Sequence, residues 1–119
     1  MSNSIFYTFE FAIKEGQLEN FKTLVKEIVE ATEANEPATT NYEFFISDDG
    51  STCHNYERYT DSEAAVKHIV AVMTKFSDRI DALAEPKRAT VYGNPSDELR
   101  KMLSSMGAVF VKPIAGFAR

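Results

Sequence analysis

An α+β domain is predicted for this chain of 119 residues by three observations. Apolar residues alternate with a period of two in short, aromatic-rich runs, and in two longer runs they recur every three to four residues. Gly, Pro and Asp punctuate the joins.

Residues 5 to 13 carry Ile5, Tyr7, Phe9, Phe11 and Ile13 on one side of the alternation, which makes them a first strand ended by Gly16. From Leu18 onward Phe21, Val25, Ile28 and Val29 keep helical spacing, while Lys22, Lys26, Glu30 and Glu33 fall elsewhere. An amphipathic helix follows, stopping before Pro37. Residues 41 to 47 and 52 to 59 then form two antiparallel strands around the turn Asp48-Asp49-Gly50-Ser51, where Asp-Gly is expected to supply positive φ angles. Thr60-Asp61-Ser62-Glu63 reads as a capping box opening a second helix, with Thr60 as its cap. Its apolar stripe is Ala65, Ile69, Val72, Phe76, Ile80 and Leu83, and Pro86 is expected to close it. Residues 89 to 92 give a short fourth strand. Asn94-Pro95-Ser96-Asp97 starts a third helix facing inward through Leu99, Met102, Leu103 and Met106, with Gly107 as its C-cap. Residues 108 to 112 read as a fifth strand.

The first six elements form the split β-α-β arrangement of ferredoxin-like folds. Residues 1–119 are therefore expected to be one domain, and residues 94–119 a helix-strand extension of it. Two helices cover one face of a four-stranded sheet. The other face also carries rings, since Phe6-Tyr7 and Phe44-Phe45 point to both sides of their strands. An uncovered apolar face predicts a homodimer through the sheets.

Composition narrows the partners. A net charge of −5 lacks the clustered cations that nucleic acid or an anionic membrane requires. No apolar run approaches the ~20 residues of a membrane span. The first residues lack the basic start and apolar core of a signal peptide, so a cytoplasmic location is expected. Cys53 is the single cysteine, which rules out an intrachain disulfide.

The candidate chemistry sits where the third strand meets the second helix. Alternation places Cys53, Asn55, Glu57 and Tyr59 on one strand face and His54, Tyr56 and Arg58 on the other. His68 borders the apolar stripe of the helix, so it can look into the same space as Glu57 and Tyr59. A desolvated carboxyl beside an imidazole can move protons, though a structural ion pair would use the same residues. His54 points away from Glu57, and no His-x-His or His-x-x-x-His spacing occurs, so no metal site is expected. Lys87 and Arg88 could meet an acidic ligand or solvent alone. Phe117 could pack on a partner subunit.

Tyr42-Glu43, the hairpin, Glu57-x-Tyr59 with Ala64, and His68 resemble the antibiotic biosynthesis monooxygenase-like family of the dimeric α+β barrel superfamily, and Glu36-Pro37-Ala38 resembles its Glu-Pro-Gly turn. The resemblance covers about residues 5 to 93. It implies a barrel of two ferredoxin-like subunits and, in catalytic members, oxidation of electron-rich aromatics such as quinols or anthrones by dioxygen, with no metal, flavin or other cofactor. By motif position, Glu57 or His68 becomes the proton acceptor and Tyr59 a hydrogen-bond donor; Asn55, Tyr42, Phe44 and Phe76 are expected to contact a small aromatic substrate. No Trp occurs in the chain, so Tyr59 stands where many members carry the bulkier ring and the haem-degrading branch is disfavoured. A non-catalytic ligand-binding or stress-responsive dimer is the alternative.

Overall fold

A computed structural model describes residues 3–119. The elements run β1 (Ile5–Ile13), α1 (Leu18–Asn35), β2 (Thr39–Ile46), β3 (Thr52–Tyr59), α2 (Ser62–Leu83), β4 (Ala84–Tyr92), α3 (Asp97–Ser105) and β5 (Val109–Val111). They build one mixed sheet in the order β2-β3-β1-β4-β5. The first four strands pair antiparallel in the ferredoxin-like order, and β5 joins β4 in parallel after the α3 crossover. The sheet is open in the single chain.

Local chemistry sets the joins. Gly50 alone takes a positive φ of 73° in the hairpin turn. Asp49 is not left-handed, contrary to the expectation from Asp-Gly; its Oδ1 instead accepts from Ser47 Oγ (2.8 Å), Ser51 N (3.0 Å) and Ser51 Oγ (2.7 Å). Those bonds hold its carboxyl down at about 2. The cap of α2 is Asp61, accepting from Ala64 N at 2.9 Å, one residue later than expected. Thr60 is unavailable because its own N–H continues the sheet, donating to Ala38 O.

Pro86 does not end α2. The helix stops at Leu83, Ala84 is already extended, and β4 starts five residues earlier than alternation indicated. A register shift opposite Glu10 and Phe11 bulges β4 beside Pro86, a place where the missing amide is tolerated.

Helices α1 and α2 lie on one face and are clipped by a two-bond ion pair, Arg79 to Glu27 at 3.0 and 2.7 Å. Fully buried Leu99 and Leu103 of α3 complete a core with Ile5, Tyr7, Tyr59, Ile69 and Val91. The extension therefore shares the main core. On the opposite sheet face Phe6 stacks on Tyr92 (4.7 Å, 8°), touches Tyr56 and carries Arg58 over its ring. His54 and Arg88 flank Glu10 there, at 3.2 and 3.5 Å.

Candidate functional site

Register brings the site together. Tyr7 on β1 and Tyr42 on β2 stand on either side of Glu57 on β3, and Phe9 and Phe44 flank Asn55 in the next row. Helix α2 crosses above them with Ala65, His68 and Ile69 turned inward. The His68 ring meets Tyr42 edge-on at 4.8 Å and Tyr59 at 5.6 Å. Glu57, Tyr59, His68 and Tyr7 are all buried.

Tyr59 donates its hydroxyl to Glu57 Oε1 in a close hydrogen bond, and His68 Nε2 lies 3.7 Å from the same oxygen. On the far side of the imidazole, Nδ1 is 2.8 Å from Glu36 Oε1. The tautomer with its proton on Nδ1 donates to Glu36 and turns the Nε2 lone pair toward Glu57 and the interior. The Tyr7 hydroxyl lies beside Glu57 and Tyr59, which are engaged with each other, and among the described residues it meets no partner at hydrogen-bond geometry. It is a buried donor left open.

Burial pushes the Glu57 carboxyl above its ordinary range, and the His68 charge and the Tyr59 and Tyr7 hydroxyls only partly offset it. Burial, followed by the nearby Glu57 charge, also raises the Tyr7, Tyr59 and Tyr42 phenols, which keeps them protonated as donors. A carboxyl reluctant to ionise therefore faces an imidazole nitrogen across 3.7 Å.

These groups form the polar end of a cavity of about 370 Å³. It runs along β1 from Tyr7 to Phe11 and along α2 from His68 to Asp81, walled by apolar side chains of α1 such as Phe21, Leu24 and Ile28. Lys87 and Arg88 stand at its rim, each already beside a carboxylate, Glu85 and Glu10. Met106, which was assigned to the inner face of α3, is over a third exposed and also lies on this rim.

The structure gathers Glu57, His68, Asn55, Tyr42 and Phe44 around the cavity, with Tyr59 immediately behind Glu57. Asn55 donates to the Glu43 carbonyl. Phe76 is elsewhere: it packs against Leu24 and Ile28 between the helices and does not line the cavity. Tyr7 and Glu36 belong to the site but were not singled out. Strand parity grouped Tyr7 with Ile5, Phe9, Phe11 and Ile13 without fixing which side of the sheet they face, and Glu36 was visible only as part of a turn. Among the described residues, no group of three or more His, Cys, Asp or Glu side chains is placed to hold a metal ion. Glu36 and Glu57 approach opposite nitrogens of one ring and do not converge.

Fold and site together define a ferredoxin-like α+β domain with a buried Glu57–Tyr59–His68 cluster between sheet and helices. Residues 4–69, more than half of the chain, match the antibiotic biosynthesis monooxygenase family, and the chain belongs to that family. It is similar over 99% of its length to MupZ from Pseudomonas fluorescens, with 28% identity, 96% of that chain covered and a TM-score of 0.89. That likeness spans α3 and β5 as well. The fold is also shared with protein SO0527 from Shewanella oneidensis (22% identity, 77% of this chain and 91% of that one, TM-score 0.68). A third similar structure is SnoaB, a cofactor-independent oxygenase from Streptomyces nogalater (13% identity, 80% and 96% covered, TM-score 0.67). No curated protein matches the chain. Among the described residues, no helix is long and apolar enough to cross a membrane.

Proposed function

We propose that this protein is a cofactor-independent monooxygenase acting on a small electron-rich aromatic of the quinol or anthrone type. The observation that carries the reading is the buried Glu57–His68 pair at the polar end of an otherwise apolar cavity. The description of SnoaB as a cofactor-independent oxygenase supports the same reaction class.

In an anthrone-type reaction His68 Nε2 or Glu57 takes the acidic substrate proton, and the substrate oxygen accepts a hydrogen bond from the open Tyr7 hydroxyl. The resulting carbanion or phenolate gives an electron to dioxygen, the two radicals combine at carbon as a peroxide anion, and that anion takes the abstracted proton back to become a hydroperoxide. Loss of water from that carbon leaves a carbonyl, so a CH₂ group plus O₂ yields C=O and H₂O with no external reductant. Apolar walls exclude water from the anion.

Two copies are proposed to pair through the sheet face carrying Phe6, Tyr56 and Tyr92, giving a dimeric α+β barrel in the cytoplasm. Oxygen uptake by metal- and flavin-free protein with a panel of hydroquinones and anthrones tests the activity. Glu57→Gln or His68→Ala is expected to lower the rate by about 10²-fold or more. Saturable binding without oxygen uptake across the panel would move the reading to a non-catalytic ligand-binding barrel.

A further inference from the structure

Two hollows meet at one imidazole. His68 lines the inner cavity, and its Nδ1 bonds to Glu36, which lines a separate outer hollow of about 540 Å³ with Pro37, Thr60, Asp61 and Lys67. The two share no lining residue. Side-chain exposure steps along the same line: 5% for Glu57, 4% for His68 and 19% for Glu36. The acceptor oxygen of Glu36 is fixed by a second bond, from Thr39 Oγ1 at 3.1 Å. Glu36 has one oxygen on the imidazole and its carboxylate in contact with the outside, while Glu57 is sealed within.

We propose that Glu36 and His68 are the proton path between the buried site and solvent. Nε2 of His68 accepts the proton released at Glu57 or the substrate, Nδ1 passes its own proton to Glu36 Oε1, and the Glu36 carboxyl gives that proton to water in the outer hollow. The same path returns the proton when the carbon-bound peroxide is protonated, and that reverse transfer restores the starting imidazole tautomer, so a full turnover exports no net proton and strands no charge inside. The groups facing this line are Tyr7, Tyr42, Tyr59 and Glu57 from the sheet side, and Asp61, Glu63 and Lys67 around the outer hollow. None of the three tyrosines lines the outer hollow, whereas Glu36 does. Glu36 is the exit.

The inference rests on the reading of this site as one that moves protons, and its test separates the two. Glu36→Gln keeps an oxygen for Nδ1–H but cannot take a proton; Glu36→Ala opens the same place to a small acid. In active protein, Glu36→Gln is expected to lower turnover by about tenfold or more with a larger solvent deuterium isotope effect, and formate to restore Glu36→Ala but not Glu36→Gln. A Glu36→Gln protein of unchanged rate and isotope effect overturns the path. Where no substrate is turned over, hydrogen exchange of the His68 ring N–H, followed by NMR on ¹⁵N-histidine protein, is the readout. Slower exchange in Glu36→Gln, with the fold intact by circular dichroism, supports the path even if the oxygenase reading fails. Exchange equal to that of the parent overturns it.

Discussion

His68 Nε2 stands 3.7 Å from Glu57 Oε1, and both side chains are buried. Burial disfavours the ionised form of Glu57, so its charge state is linked to the stability of the fold. Burial raises the folded-state pKa of Glu57 above its unfolded value of 4.5. A raised carboxyl contributes stability that is fully present below pH 4.5 and is lost as pH rises through its folded pKa. Glu57→Gln removes that loss. The variant is expected to gain on the parent as pH climbs from 4.5 to 8, and the gain to vanish toward pH 4.5. Urea midpoints measured across that range check it; a difference that does not vary with pH would mean that Glu57 does not titrate with unfolding.

Tyr59 and Tyr7 make a paired test, because two buried phenols face one carboxyl and only one is bonded to it. Tyr59→Phe removes the donor to Glu57 and should cost about 1–3 kcal/mol in urea unfolding. Tyr7→Phe removes a hydroxyl without a partner and should change stability by less than about 0.5 kcal/mol, while weakening ligand binding or turnover. Equal losses of stability from the two would show that Tyr7 is bonded in solution and is not free for a substrate.

Strand parity is a covalent property, so the common face of Asn55, Glu57 and Tyr59 was legible from alternation alone. Register is not. Whether Glu57 lands between Tyr7 and Tyr42 depends on how β1 docks against β3, and a slip of one residue would turn the whole row to the other face. The Glu36–His68 bond joins residues 32 apart through a turn whose direction no local pattern specifies. Phe76 shared the stripe of α2 with cavity-lining Ile69 and Val72, but an apolar stripe on a helix between a sheet and another helix divides between two neighbours. Phe76 falls on the side that meets Leu24 and Ile28 of α1. The early start of β4 was hidden by Pro86, which ordinarily argues against a strand and is tolerated here by the bulge.

Leu103 reports on whether the extension is part of the domain. It is fully buried against Ile5, Tyr7, Ile69 and Val91, which belong to the first, second-helix and fourth-strand layers of the main core. Leu103→Ala should therefore cost about 2–5 kcal/mol and leave a single cooperative transition. A variant whose α3 melts early, by hydrogen exchange, while the main transition stays at the parent's midpoint would make residues 94–119 an appendage.

Phe6 is the sharpest test of pairing between subunits. It lies on the sheet face away from the cavity, stacked on Tyr92 and beneath the Arg58 guanidinium, so its ring holds a small aromatic patch together. Around that patch Glu10, His54 and Arg88 are already paired with one another, which leaves the rings as the apolar centre of the face. Phe6→Glu puts a charge at that centre and needs no change on the cavity side, where Tyr7 alternates to the opposite face. If two copies meet here, sedimentation should change from dimer to monomer while thermal unfolding remains cooperative. A Phe6→Glu protein that still sediments as a dimer would shift attention to the exposed tail side chains Ile114 and Phe117, and Phe117→Ala would then be the variant to lose the partner.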